Sequence, residues 1–353
     1  VTGAELFQED ENVSKTIRFS AIGLNHGHIY NQTHALLNAG AELVSFYAIE
    51  PELIDKYAKT FPQAKLAGSV EEILEDETIQ LVASASIFNE RAPLGVAVMQ
   101  HGKDYMVDKP AFTTLEQVAE VRRVQAETGR IYSVFFSERL GNRATVKAGE
   151  LVHSGAIGRV VQTIGMGPHR TRLQTRAPWF FRREQYGGIL CDIGSHQIDQ
   201  FLFFTGSTEV EVVGSTVANY GHPQYPELED FGEVLLRGDR GTGFVRIDWF
   251  TPDGLPTWGD GRLFILGTEG YIELRKYCDI AGRPGGDHLF LVDQEGVNYI
   301  DCKDVDMPYG RQLLEDMINR TDTAVPQEHC FFASELSLKA EAQAKRLGNL
   351  KAL

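Results

Sequence analysis

Between residues 17 and 136, short apolar runs alternate with amphipathic stretches of helical period, and this alternation constrains the fold more than any other feature. It is the sequence signature of βαβ units, and so of a parallel sheet with helices on its faces. IRFSAIGL (17–24) reads as the first strand and 28–39 as its helix. A second strand covers 41–49, and 51–60, with apolar Leu53, Ile54, Tyr57 and Ala58, is the next helix. Residues 70–75 form a short helix, and 79–86 a nearly continuous apolar strand suited to a sheet buried on both faces. A helix at 93–101, a strand at 104–107, a long helix at 114–128 and a strand at 131–136 complete this half.

Beyond about residue 140 the rhythm changes. Strand-like stretches follow one another with few helices between them, at 159–167, 208–219, 230–238, 242–250, 262–267, 270–276, 287–293 and 297–301. Helices near 309–320 and 329–347 end the pattern. The expectation is an α/β Rossmann domain followed by an α+β domain with a large, mostly antiparallel open sheet. The boundaries read from the pattern are a flexible N-terminal arm (1–16), a dinucleotide-binding domain (17–138), a substrate and oligomerisation domain (139–328), and a C-terminal helix (329–353) packing back on the first domain.

The 353 residues suffice for two domains with cores of their own, and 42% hydrophobic with 24% charged residues is a globular composition. A formal charge of −15 argues against nucleic acid or an anionic membrane as partner, because both need a basic face. The polar, acidic start VTGAELFQEDENVSKT lacks the parts of a signal peptide. Cys191, Cys278, Cys302 and Cys330 are scattered without a CxxC pair, which reads as reduced thiols in a cytoplasmic protein.

The segment GLNHGH (23–28) stands between a strand and a helix, where a phosphate-binding turn belongs. It is not GxGxxG: Gly23 fits the first glycine, Asn25 replaces the second, and Gly27 or His28 falls near the third. Asn tolerates positive φ better than most residues, so the turn survives the exchange. His26, His28 and His34 do not make a metal site by sequence spacing, since no carboxylate or cysteine stands beside them. No metal is expected; His26 or His28 has a structural role or touches a cofactor. Glu50, after the second strand, either reaches an adenosine ribose or opens the next helix. No lysine or arginine stands beside it to receive a 2′-phosphate, which favours NAD over NADP.

Two further segments carry chemistry. VDKP (107–110) sets a lysine at the carboxyl end of a parallel strand, where ligands bind in open α/β sheets. GGILCDIGSHQIDQFLFFTG (187–206) leads from two glycines into a helix with Asp192, His196 and Asp199 at spacings of four and three, one helical stripe. An acid one turn from a histidine can tune and orient it for proton transfer. HRTRLQTRAPWFFRR (169–183) supplies aromatic and cationic side chains. Trp179 or Phe180 can stack on a sugar, and Arg172, Arg176 or Arg182 can bind an acidic group, or the stretch is simply a solvated basic one. The glycine-rich loops 251–262 and 281–288 are too long for simple hairpins and are placed to cover the site or a neighbouring subunit.

Together VDKP, the GG-x-L-x-D-x-G-x-H-x-x-D element, their separation of about 80 residues, HSGAIGRV (153–160) and GTEGYIEL (267–274) resemble the Gfo/Idh/MocA oxidoreductases. The resemblance implies NAD(P), hydride exchange with a secondary alcohol of a sugar or polyol, and a homodimer or homotetramer formed through the second domain. Carried across by motif, it gives Lys109, Asp192 and His196 catalytic roles at the substrate; His169, Arg172, Arg176 and Trp179, from the stretch before the catalytic helix, are candidate substrate contacts by residue type alone. The cofactor would meet the turn at Gly23, Asn25, His26, Gly27 and His28, then Glu50, Asn89 and Lys109. Asp108 stands where the family usually has glutamate. Two other readings compete: transient oxidation by a tightly held NAD, and a non-catalytic dinucleotide-binding regulator.

Overall fold

The computed structural model describes residues 16–348; the N-terminal arm and the last five residues of the expected C-terminal segment lie outside them. Strands β1 (Arg18–Ile22), β2 (Glu42–Tyr47), β3 (Lys65–Leu66), β4 (Leu81–Ser84), β5 (Asp104–Asp108) and β6 (Tyr132–Phe135) form a parallel sheet in the order β3-β2-β1-β4-β5-β6. The order reverses between β1 and β4, and a crevice opens at such a switch point beyond the carboxyl ends of the strands. The continuous apolar runs have the expected cause: β4, β5 and β6 are buried at every position.

The second sheet has nine strands: β7 (Val160–Pro168), β8 (Val210–Ala218), β9 (Phe231–Gly238), β10 (Thr242–Asp248), β11 (Arg262–Gly267), β12 (Tyr271–Arg275), β13 (His288–Val292), β14 (Val297–Asp301) and β15 (Lys345–Arg346). Their order is β14-β13-β12-β11-β7-β10-β9-β8-β15. All neighbours are antiparallel except β7 with β10 and β8 with β15. Helices 143–153 and 194–205 cover one face, where Val245, Ile247, Leu263, Ile265, Ile272 and Leu274 are buried.

Three expectations need correction. Helix Arg143–His153 is absent from the sequence reading because its buried face is Ala144, Thr145, Ala148 and Gly149, too small to register as an apolar stripe. The segment 187–206 is two pieces, Ile189–Asp192 and Gly194–Thr205, the second buried along nearly its whole length. The last helix, Gln327–Gln343, packs on helix 115–128 and β6 as expected, but the chain then adds β15 to the edge of the second sheet beside β8.

Candidate active site

The first glycine of the turn is fixed by geometry. Gly23 has φ +76°, and a Cβ there would lie 2.4 Å from that of Ser86. Helix His28–Asn38 starts at Gly27 with no side-chain cap and no acid in its first turn, so its positive end is left to an incoming anion. Nothing lies within 4 Å of where a Gly27 Cβ would stand, which keeps that approach open. Glu50 both precedes helix Pro51–Thr60 and accepts a 2.7 Å hydrogen bond from Asn25 Nδ2, so its carboxylate turns toward the glycine turn. The Asn89 Oδ1, buried just beyond β4, has no partner among the described residues. A tight glycine turn, an uncapped helix start, an acid after β2 and an orphaned amide oxygen together fit a dinucleotide.

At the end of β5, Asp108 gathers three cationic or imidazole groups. His28 Nδ1 is hydrogen-bonded to Oδ1 at 2.8 Å, His26 Nδ1 lies 2.8 Å from Oδ2 without good alignment, and Arg91 Nη2 lies 3.2 Å from Oδ2. Arg91 also donates to the carbonyls of Asp108, Lys109 and Pro110 and so holds the strand end in place. Burial opposes the Asp108 charge, but His28, Arg91 and His26 outweigh it and hold the carboxyl well below the usual range. Burial and the neighbouring His28 push His26 down to about 3, so it is neutral. The fold thus supplies the carboxylate that sequence spacing did not: His26, His28 and Asp108 offer donor atoms within 4.8 Å of one another, as a metal site would. Arg91 already brings positive charge to that carboxylate.

Lys109, one residue on, meets Asp192 from 83 residues away: Nζ to Oδ1 is 2.7 Å, with both side chains almost fully buried. Burial favours the neutral acid, yet the Lys109 ammonium keeps Asp192 ionised below its ordinary range. His196 follows one turn later, also buried, with its ring centroid 6.3 Å from that of His28 and, among the described residues, no partner for Nδ1. Burial, then the Lys109 charge, push its imidazole well below the ordinary range, so it too is neutral.

These groups border a cleft of about 430 Å³ lined by His26, Gly27, His28, Lys109, Asp192, His169, Arg170, Arg172, Arg176 and the aromatic rings of Trp249, Trp258 and Tyr277. His196 lies just behind the lining. His169 sits edge-on to Trp258 and Trp249, at ring distances of 4.4 and 5.4 Å. Burial lowers its imidazole to about 4. Trp179 is not part of this lining: it packs edge-on to Phe88 at 4.9 Å. Asp199 leaves the expected group as well, turned to partners on other elements. It takes a bidentate pair from Arg139 and a 2.7 Å contact from His329.

Two models meet on this architecture. "Oxidoreductase family, NAD-binding Rossmann fold" matches residues 17–136, and "GFO/IDH/MocA C-terminal domain" matches 145–273. The chain belongs to the Gfo/Idh/MocA family. It is thus an oxidoreductase with an NAD(P)-binding domain. A solved structure from Erwinia carotovora atroseptica, of a protein assigned to the oxidoreductases, is 47% identical; the match covers 94% of this chain and all of that one, with a TM-score of 0.92. The NADP(+)-dependent scyllo-inositol 2-dehydrogenase IolW of Bacillus subtilis is 29% identical over 43% of this chain and 42% of its own length. The NAD(+)-dependent scyllo-inositol 2-dehydrogenase of the same organism is 25% identical over 72% of this chain and 73% of its own. The Gfo/Idh/MocA relatives therefore include users of either cofactor. Among the described residues no helix is long and apolar enough to cross a membrane.

Sequence reasoning missed Trp249, Trp258 and Tyr277 in the cleft, and the buried pair of Lys276 and Glu138 (2.8 Å) near His196. Only Trp258 left a signal, in the over-long loop 251–262.

Proposed function

We propose that this protein is an NAD-dependent dehydrogenase that interconverts a secondary alcohol of a polyhydroxylated substrate, a sugar or polyol, with the ketone. The observation that carries the reading is the buried Lys109–Asp192 pair, brought from distant segments to the wall of a cleft beside an uncapped helix start. When bound, the nicotinamide supplies the hydride acceptor, or the donor in the reverse direction. The N-terminal end of helix 28–38 would hold the diphosphate, and Glu50, steadied by Asn25, would bind the adenosine ribose. A carboxylate there repels a 2′-phosphate, which supports NAD over NADP.

Lys109 donates a hydrogen bond to the substrate oxygen and stabilises negative charge on it as the C–H bond breaks. Asp192 anchors the ammonium and sets its direction. His196, neutral because it is buried beside Lys109, takes the alcohol proton and returns it in reduction. Trp249, Trp258 and Tyr277 provide flat apolar faces of the kind that pack on the C–H surfaces of sugars. The test is a panel of sugars, polyols and their keto forms with NAD and NADP, read by the reduced nicotinamide. NAD-dependent turnover is expected. Cofactor binding without turnover of any compound would leave a binding protein instead, and product without build-up of reduced cofactor would point to transient oxidation.

A further inference from the structure

Most arginines of this chain are matched to carboxylates. Arg139 pairs with Asp199, Arg183 with Glu229 and Glu341, and Arg275 with Glu273 and Asp279. With 49 Asp and Glu against 34 Lys and Arg, acids are plentiful. The cleft departs from this pattern, as Arg130, Arg143, Arg159 and Arg182 do elsewhere among the described residues. Asp192 is its one carboxylate, and Lys109 already occupies it. Arg170 is taken up by the carbonyls of Pro252 and Leu255, with Asp253 3.5 Å away.

Arg172 and Arg176 are left over. Among the described residues, no carboxylate pairs with either. Arg176 gives its Nε to the Thr171 carbonyl and is clamped against the Phe180 and Trp249 rings, at 4.3 and 4.7 Å. That clamp fixes the guanidinium plane while its two terminal amino groups stay available. Arg172 has a left-handed backbone, φ 49° and ψ 51°, a conformation that disfavours a side chain other than glycine or asparagine. The surrounding fold imposes it and presents the side chain at the cleft. Burial lowers the Arg176 guanidinium below its ordinary range; Asp192, already held by Lys109, offsets this in part, and Arg172 is close enough to add to the lowering. In a protein of net charge −15 the pair is a local reversal of sign, which concentrates anions at the mouth of the site.

We propose that the substrate of this site is an anionic polyol, carrying a carboxylate or phosphate that Arg172 and Arg176 bind while its reacting carbinol faces Lys109. The inference rests on the dehydrogenase reading and specifies its substrate class. Guanidinium forks suit either group, since each offers paired oxygens to parallel N–H donors. Neutral sugars and cyclitols leave both cations without a counter-charge.

The test pairs acids with neutral counterparts: D-galacturonate with D-galactose, D-gluconate with D-glucitol, and glucose 6-phosphate with glucose. Each is measured for turnover with NAD and, by calorimetry, for binding to the NAD-loaded protein. Binding of at least one acid about tenfold or more tighter than its neutral partner is expected, and the acid that wins tells carboxylate from phosphate. Arg172→Gln, at an exposed position where the fold is not at stake, should raise KM for that acid about tenfold or more with kcat little changed, and should weaken its binding equally. Arg176→Gln should do the same, with melting curves to confirm folding. Neutral compounds bound or turned over as well as the acids, or unchanged KM and binding in Arg172→Gln, would overturn the anionic substrate and leave the dehydrogenase reading intact. Acids bound through Arg172 but never oxidised or reduced would keep the anion site and remove the dehydrogenase. No binding of any acid would overturn the inference.

Discussion

Lys109 and His196 serve one oxygen in the proposed chemistry, and their surroundings dictate how each should fail. Lys109→Met takes from the buried Asp192 its ion-pair partner and removes the charge proposed to stabilise the reacting oxygen. His196→Ala removes a base kept neutral by burial. Each should lower kcat by at least about two orders of magnitude, and the double variant should lose less than the product of the two. NAD binding should persist in His196→Ala, which is outside the expected cofactor contacts, and weaken only modestly in Lys109→Met, since the turn at 23–28 is untouched. Steady-state kinetics alongside calorimetry and melting curves decide this; near-normal turnover in His196→Ala would take that residue out of the mechanism. Glu50 supports a second expectation. Its carboxylate is hydrogen-bonded to Asn25 and placed after β2, so Glu50→Ala should narrow the preference for NAD over NADP. Calorimetric titration with both cofactors reads the ratio, and a ratio unmoved by the substitution would leave Glu50 as a helix-start residue alone.

At the scale of elements, the short helix Ile189–Asp192 that presents Asp192 is held by two carboxylates from elsewhere. Glu229 accepts from the Ile189 N–H at 2.9 Å and Glu341 from the Leu190 N–H at 3.0 Å, with Arg183 bridging them. Gly188, at φ +105°, permits it: a Cβ there would fall 2.5 Å from the Glu341 carboxyl carbon. Burial, then the Glu229 charge, raise Glu341 from 4.5 to about 7. A group whose folded pKa is raised contributes stability below its unfolded pKa and loses it as pH rises through the folded one. Glu341 should therefore cost stability as pH rises between 4.5 and about 7. Glu341→Gln should flatten that segment of the profile, measured as urea midpoints at pH 5 to 8 against the parent; parallel profiles would defeat the expectation. The two glycines of this segment were legible as a signal, but the reason for them was not, because Glu341 is 151 residues beyond Leu190. The same limit hid the partners of Asp199 and the carboxylate shared by His26 and His28. Patterning revealed β1, β2, β4, β5 and β6 and the run of strands after residue 140, and motif singled out Lys109, Asp192 and His196; β3, two exposed residues, is too short to leave a pattern. Trp249 and Tyr277 came from strand ends that no local pattern distinguishes from core.

For the whole molecule, the unanswered face is that of the nine-stranded sheet. Its registers align Leu235, Phe244, Ile164, Phe264, Glu273, Phe290 and Tyr299 side by side across β9, β10, β7, β11, β12, β13 and β14. Paired residues in adjacent strands share a face, and this one lies opposite helices 143–153 and 194–205. The row is apolar apart from Glu273, which Arg275 neutralises at 2.8 Å. Leu235, Leu266, Tyr271 and Tyr299 each keep at least 40% of their surface exposed there. A contiguous apolar band of this extent on an otherwise strongly acidic protein is the kind of surface that subunit interfaces cover. We expect two copies to bury it against each other, sheet on sheet, as a homodimer or as half of a homotetramer. A single row at the centre makes the surface easy to break: Phe264→Glu sets a second carboxylate directly opposite Glu273 in the register, and repeats it on both copies. Light scattering at micromolar concentration should give a multiple of 39.3 kDa for the parent and 39.3 kDa for Phe264→Glu. The variant should keep its far-ultraviolet circular dichroism, because the substituted side chain points away from the core. A parent that scatters as a single chain would overturn the expected self-association.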